Sequence, residues 1–528
     1  MLSNPFPKQL LIFVILFALA ILPRLSFSQQ AKAQNPIIFA DVPDLSMVRV
    51  GDTYYMSSTT MHMSPGVPIM KSTDLSNWEL IGYAYDQLVD NAAMNLSKGE
   101  SAYGRGSWAS CLRYHEGRFY LSTFSATSGK THIYITDDIE KGKWKEVNFE
   151  PSYHDHSIYF DEDGKIYLIW GAGEISIVEL EKDLSGIVPE TERVLIENAS
   201  KPAGENIMLN AEGSQIFKVG EYFYLFNIVW PRKDMRTVLV HRSKSLHGPY
   251  EGKVVLKDRG IAQGGLIDTP EGNWYAYLFR DYGAVGRIPY LVPVTWENDW
   301  PVLGENGKVP DYLDLPVNTR LISGIVASDD FSREERDFTF LPLVWQWNHN
   351  PVEENWSLTE RPGFLRLKSD RLDNNFVETR NTLTQRTFGP KSQVVTRVDL
   401  QGLEDGDVVG LGLLQKEYGF IGIKAEDQKK ALVMSIGNED NEQVMEELSW
   451  NEGNVYLKAI CDFENQKDSA FFQYSKDGKE WKDFGAELKM TYTLPHFMGY
   501  RFGLFYYSTK STRGYADFDF FEISIPEN

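Results

Sequence analysis

The chain has 528 residues, of which 42% are hydrophobic, 24% charged and 13% aromatic, and its formal net charge is −21. These proportions exclude a wholly disordered chain and a multi-span membrane protein, and the acidic balance excludes nucleic acid as a general partner. Two cysteines exclude a disulfide scaffold, while 13 Trp, 27 Tyr and 30 Phe supply the flat apolar faces that suit a neutral, sugar-like ligand.

Met1 to Ser28 has the form of a secretory signal peptide. Lys8 gives it positive charge, Leu10 to Leu22 is an unbroken apolar run of 13 residues, and small residues follow at Ser26 to Ser28 and at Ala31 and Ala33. The run is too short for a comfortable membrane span. Export, with a periplasmic location and no stable membrane insertion after cleavage, is therefore expected. Cys111 and Cys461 are 350 residues apart and are expected as buried free thiols, although the compartment favours oxidation.

From residue 35 to residue 300 a hairpin pattern recurs five times: an apolar strand, a turn with glycine, then an aromatic strand. The glycines are Gly51, Gly117, Gly164, Gly220 and Gly272, and the residue three after each is aromatic (Tyr54, Tyr120, Tyr167, Phe223, Tyr275). Glycine meets the positive φ of a tight hairpin turn, and aromatics suit a pleated surface. The spacings of 66, 47, 56 and 52 residues match a four-stranded unit repeated around an axis. The fold class predicted is all-β: a five-bladed β-propeller over 35–300, a Pro/Gly-containing connector over 301–321, and a β-sandwich of jelly-roll, concanavalin-like type over 322–528.

Seven to nine residues before each turn glycine stand Asp44, Trp108, Asp155, Glu212 and Gln263. If the strand before each turn is the innermost of its blade, all five crowd one end of the central channel. Three of them are carboxylates, which raise one another's pKa when brought together. Two carboxylates across a pocket are the machinery for splitting an acetal: one donates a proton to the leaving oxygen, and the other activates water or attacks directly. A third can hold the acid protonated. Spacing alone does not assign these jobs. Trp108 offers a flat face for a sugar ring.

At these residues the chain resembles glycoside hydrolase family 43. The likeness rests on Asn35-Pro36-Ile37-Ile38 with Val42-Pro43-Asp44-Leu45-Ser46, on Asp155 ahead of Ile158-Tyr159-Phe160-Asp161, on Glu212-Gly213-Ser214-Gln215, on Pro65-Gly66-Val67-Pro68, and on Gly286-Arg287 followed by Pro293-Val294. It implies that Asp44 is the general base, Glu212 the general acid and Asp155 the residue that tunes the acid. It places Trp108 in the sugar subsite and Arg287 near the substrate hydroxyls. It implies inversion at the anomeric carbon, with carboxylates about 6.5–9.5 Å apart. The activity implied is exo-acting release of terminal α-L-arabinofuranosyl units from hemicellulose oligosaccharides. β-D-Xylosidase action is the alternative, and a non-catalytic sugar-binding propeller is the contrasting class.

Many relatives in that family carry a histidine, sometimes with a central metal ion, where this chain has Gln263. Glutamine is a poor metal ligand, so no metal requirement is expected. His62 is a candidate pocket residue, and Trp230 a lesser one. His154 and His156 flank Asp155 and lack an evident third zinc ligand. Asp329, Asp330, Asp517 and Asp519 are weighed as a structural calcium site. Phe505-Tyr506-Tyr507 is weighed as a sandwich loop reaching the pocket mouth, against a core strand.

Overall fold

The computed structural model describes residues 32–318, 324–334, 340–493 and 496–527. The signal peptide expected over 1–28 lies outside them. No helix among the described residues is long and apolar enough to cross a membrane.

Each repeat forms a four-stranded antiparallel meander. Blade one comprises Ser46–Val50, Thr53–Ser57, Gly66–Ser72 and Glu79–Tyr85, and blade two comprises Cys111–His115, Arg118–Ser125, Lys130–Thr136 and Lys145–Phe149. Blade three starts at Ser157–Phe160, blade four at Ile207–Val219 and blade five at Ala262–Asp268. The five repeat glycines sit in the turn after the first strand with φ between 60° and 84°, a region that side-chain-bearing residues enter at a cost. The first strand of every blade touches the first strands of both neighbours, so five strands close a ring around the axis. The seam between blades five and one is tied by Arg49, whose Nη2 lies 2.5 Å from Asp268 Oδ2. Asn35 adds a clasp, exchanging hydrogen bonds with the Leu291 backbone at 2.7 and 3.2 Å.

The connector begins later than its expected start at 301, because Trp300–Leu303 is the outer strand of blade five. The C-terminal part is a sandwich of two eight-stranded sheets. One sheet includes Met63–Ser64, contributed by blade one and paired with Trp347 and Asn348. Phe505, Tyr506 and Tyr507 lie inside the strand Arg501–Ser508, which is buried throughout. It is hydrogen-bonded between Asp407–Leu414 and Leu383–Arg386, so of the two readings weighed it is the core strand, and not a loop at the pocket mouth. Cys111 and Cys461 are buried and free, one in each part.

The two parts share buried polar contacts. Arg386, almost fully enclosed, donates from Nε to the Asp41 carbonyl at 2.9 Å, and the Gly499 N–H donates to the Asp41 carboxylate at 3.0 Å. Gln346 donates to Thr60 and to the Pro65 carbonyl. Separating the parts would exchange these bonds for bonds to water, a net loss of about 0.5–1.5 kcal/mol each. Calorimetry of the whole chain is therefore expected to give one unfolding transition; two resolved transitions would mean that the parts are thermodynamically independent.

Candidate active site

Asp44 and Asp155 occupy the same place in their blades, two residues before Ser46 and Ser157, the first residues of the inner strands. Both have left-handed backbones, with φ of 52° and 46°, and Gln263 matches them at 53°. These residues, with Ala109 and Gly213, line a narrow axial cavity. The register position in blades two and four is thus Ala109 and Gly213, and Trp108 and Glu212 each precede it by one residue. This corrects the expected five-fold equivalence. The pairing of Ile207–Val219 with its neighbour shifts register on either side of Glu212, and such a bulge re-aims a side chain. Gly213 leaves room for Gln263: a Cβ there would lie 2.9 Å from Gln263 Cδ.

Arg287 is buried and donates from Nη1 to both Asp44 carboxylate oxygens, at 2.8 and 2.9 Å. Its Nε lies 3.3 Å from Asp281, which also pairs with Arg236 at 2.7 Å. Asp41, rather than facing the pocket, accepts the Arg287 N–H at 2.7 Å and so anchors the strand that carries the guanidinium. Burial pushes the Asp44 carboxyl above its ordinary range, and the Arg287 charge opposes that push. Arg287 therefore contacts the expected base itself. Arg236 and Asp281 had no sequence signal.

His154 Nε2 lies 3.1 Å from Glu212 Oε2 and 3.9 Å from Asp155 Oδ2. Burial raises the Asp155 carboxyl to about 7; the His154 charge works against the rise, and the charges of Glu212 and Asp44 add to it. Asp155 is thus a carboxyl held near neutrality between two others. This is a setting in which an acid and a base are kept apart in protonation.

Trp108 is half-buried and packs against Phe497 of the sandwich, with ring centroids 4.7 Å apart. Phe497 also stands over Arg287, whose guanidinium carbon is 5.5 Å from its ring centroid. Beyond Trp108 a cleft of about 680 Å³ runs between the two parts, with Arg105 on one wall and Lys416 and Glu439 on the other. The sandwich thus reaches the pocket through Phe497, which sequence periodicity did not mark. His62 is not in the pocket. It is fully buried between the parts, 4.5 Å from His349 and 4.7 Å from Tyr103 in ring centroids. Met61, its neighbour, bridges to Ser107, and this backbone pairing carries the segment inward. Trp230 is half-buried under Arg236.

His156 is buried with Nδ1 bonded to the Tyr153 carbonyl at 2.8 Å, so it does not join His154 in a two-histidine site. Of the carboxylates weighed for calcium, Asp329 pairs with Arg333, Asp517 with Arg361 and Arg366, and Asp519 with Arg397. Those guanidinium groups already take up the negative charge that a cation would need.

A ring of blades that gathers three carboxylates and an aromatic wall at one mouth defines a propeller glycosidase. The chain belongs to glycosyl hydrolases family 43: that family model matches residues 33–301, and the model for the β-xylosidase C-terminal concanavalin A-like domain matches residues 328–524. A β-xylosidase of Formosa agariphila is 29% identical, over 92% of this chain and 89% of its own length. A non-reducing-end α-L-arabinofuranosidase of Bacteroides ovatus is 30% identical, over 70% of this chain and 72% of its own. The solved structure of a bifunctional GH43-CE protein of Bacteroides eggerthii is 59% identical with a TM-score of 0.93, covering 94% of this chain. This chain spans 64% of that protein's length. The protein is a glycoside hydrolase.

Two expectations follow from the geometry. Phe497→Ala removes the aromatic contact facing Trp108 and should raise KM for a small pentoside by about tenfold, with little change in melting temperature; an unchanged KM would take Phe497 out of the pocket. The second concerns pH. Asp155 and His154 have folded pKa values raised from 3.8 and 6.5 to about 7 and about 9. The folded chain therefore holds more protons than the unfolded one, and the stability these groups supply is full at low pH and lost as pH rises through their folded values. The melting temperature of the wild type relative to Asp155→Asn should accordingly fall as pH rises from 3.8 to about 7; a flat difference over that range would contradict the raised value.

Proposed function

We propose that this enzyme is an exo-acting, inverting pentosidase that removes a terminal α-L-arabinofuranosyl or β-D-xylosyl unit from hemicellulose oligosaccharides. The observation that carries this reading is the gathering of Asp44, Asp155 and Glu212 from three blades at one mouth, beside Trp108 and under Phe497. In this reading Glu212 protonates the leaving oxygen while Asp44 takes a proton from the attacking water. The C1–O bond to the leaving group breaks as the bond from water to C1 forms. Asp155 is the neighbouring carboxyl that tunes the acid. Arg287 orients Asp44 and presents donor hydrogens to the sugar hydroxyls. All these steps use side chains of the chain itself.

The pairing of two sugars is supported by the names of the relatives, one a β-xylosidase and another an arabinofuranosidase. A relative in Butyrivibrio fibrisolvens, 26% identical over 93% of this chain, is called a xylosidase/arabinosidase. The two sugars can present similar hydroxyl geometry to one pocket. Export to the periplasm, led by residues 1–28, would put the enzyme where such oligosaccharides arrive.

Chromogenic α-L-arabinofuranoside and β-D-xyloside, with the product anomer followed by proton NMR, test this reading. Hydrolysis of at least one with inverted configuration is expected; saturable binding without product would mean a sugar-binding propeller, and retention would exclude the single displacement. Asp44→Asn and Glu212→Gln should each lower kcat by about a hundredfold or more while circular dichroism stays native. Near-wild-type turnover in either would remove that residue from its role.

A further inference from the structure

His154 stands out among the groups around the pocket. The left-handed backbone at Asp155 lets two consecutive side chains, His154 and Asp155, face the same carboxylate. His154 Nε2 lies 3.1 Å from Glu212 Oε2, and the Glu212 carboxylate has no other side-chain hydrogen-bond partner among the described residues. The three side chains differ in access to water: Asp155 is 7% exposed, Glu212 18% and His154 43%. The imidazole is therefore the member of the trio in open contact with solvent. Its other face packs edge-on against Phe124, with ring centroids 5.3 Å apart, so its direction is fixed.

We propose that His154 is a positioning residue that loads Glu212, holding the carboxyl at bonding distance and returning a proton to it from solvent after each turnover. The inference rests on Glu212 being the acid. After the glycosidic bond breaks, Glu212 has given its proton to the leaving oxygen and Asp44 has gained one from water. The imidazolium passes the proton on Nε2 to the Glu212 carboxylate and becomes neutral, with its remaining proton on Nδ1. Water at the exposed edge protonates the ring again, and Asp44 releases its proton to solvent, so the cycle closes without an added reactant.

The surroundings keep this ring charged in the neutral range. Burial disfavours the imidazolium, but the charge of Asp155, the hydrogen bond and charge of Glu212 and the more distant Asp44 outweigh it and hold its pKa up to about 9. The opposing cation nearby, Arg287, is bonded to Asp44 rather than directed at the ring, and His156 is held neutral, its pKa lowered to about 4 by burial. His154 Nε2 and Glu212 Oε2, 3.1 Å apart, thus form a direct path for a proton between solvent and the Glu212 carboxylate.

The experiment uses the full chain with His154→Ala, His154→Gln and Glu212→Gln, assayed on pentosides with leaving groups from dinitrophenol to an alkyl alcohol. A dinitrophenolate departs without help from an acid, whereas an alkoxide does not. Both His154 variants should lose about tenfold or more in kcat/KM on the alkyl substrate and nearly nothing on the dinitrophenyl one, and the basic limb of kcat against pH should move to lower pH. A loss equal across all leaving groups, or an unmoved basic limb, would mean that the imidazole merely supports the pocket. Glu212→Gln separates the two levels. If it shows the leaving-group dependence and the His154 variants do not, this inference fails and the acid assignment stands. If Glu212→Gln shows none, the acid assignment fails first.

Discussion

Three carboxylates from three blades can share one buried mouth only because Arg287 lies among them. Its guanidinium bonds both oxygens of Asp44 and faces Asp281, and Asp41 fixes the backbone that presents it. A buried charge without such a partner is driven to neutrality. Burial here raises Asp44 and Asp155 but leaves each with an opposing cation, Arg287 for one and His154 for the other. The result is a set of carboxyls that differ in their partners and surroundings, and such differences are what let one site hold both an acid and a base.

The ring of five inner strands makes this possible geometrically. Residues up to 219 positions apart in sequence, Asp44 and Gln263, reach the same axial cavity because each blade repeats one approach. Left-handed residues stand at three of those approaches: Asp44 and Asp155 just before their inner strands, and Gln263 at the second residue of its own. Strain of this kind costs roughly 1–3 kcal/mol per residue and gathers at functional sites.

Much of this was legible in the chain. The glycine–aromatic hairpins announced five blades because both demands are local: a turn needing positive φ and a strand needing flat apolar side chains. Asp44, Asp155 and Gln263 were legible because their distance from the turn glycine sets their place on the axis. The one-residue offset of Glu212 was not, since a bulge changes the count without leaving a mark in composition, and neither was that of Trp108, which precedes the inner strand of its blade by three residues. Phe497 escaped notice because a residue on a distant loop acquires its role only through packing. His62 misled for the opposite reason: a polar side chain near a family motif reads as a pocket residue, yet it is sealed between the two parts beside His349 and Tyr103.

Met63–Ser64 completes a sheet whose other strands all come from beyond residue 345. A segment of the first blade is therefore stitched into the far end of the chain. Recombination that exchanged the C-terminal part for another would leave an unmatched strand edge on the newcomer unless the loop between the second and third strands of blade one travelled with it. Inheritance of the two parts is thereby coupled, and any chimaera assembled from relatives has its natural crossover points outside that loop rather than in the connector after Leu303.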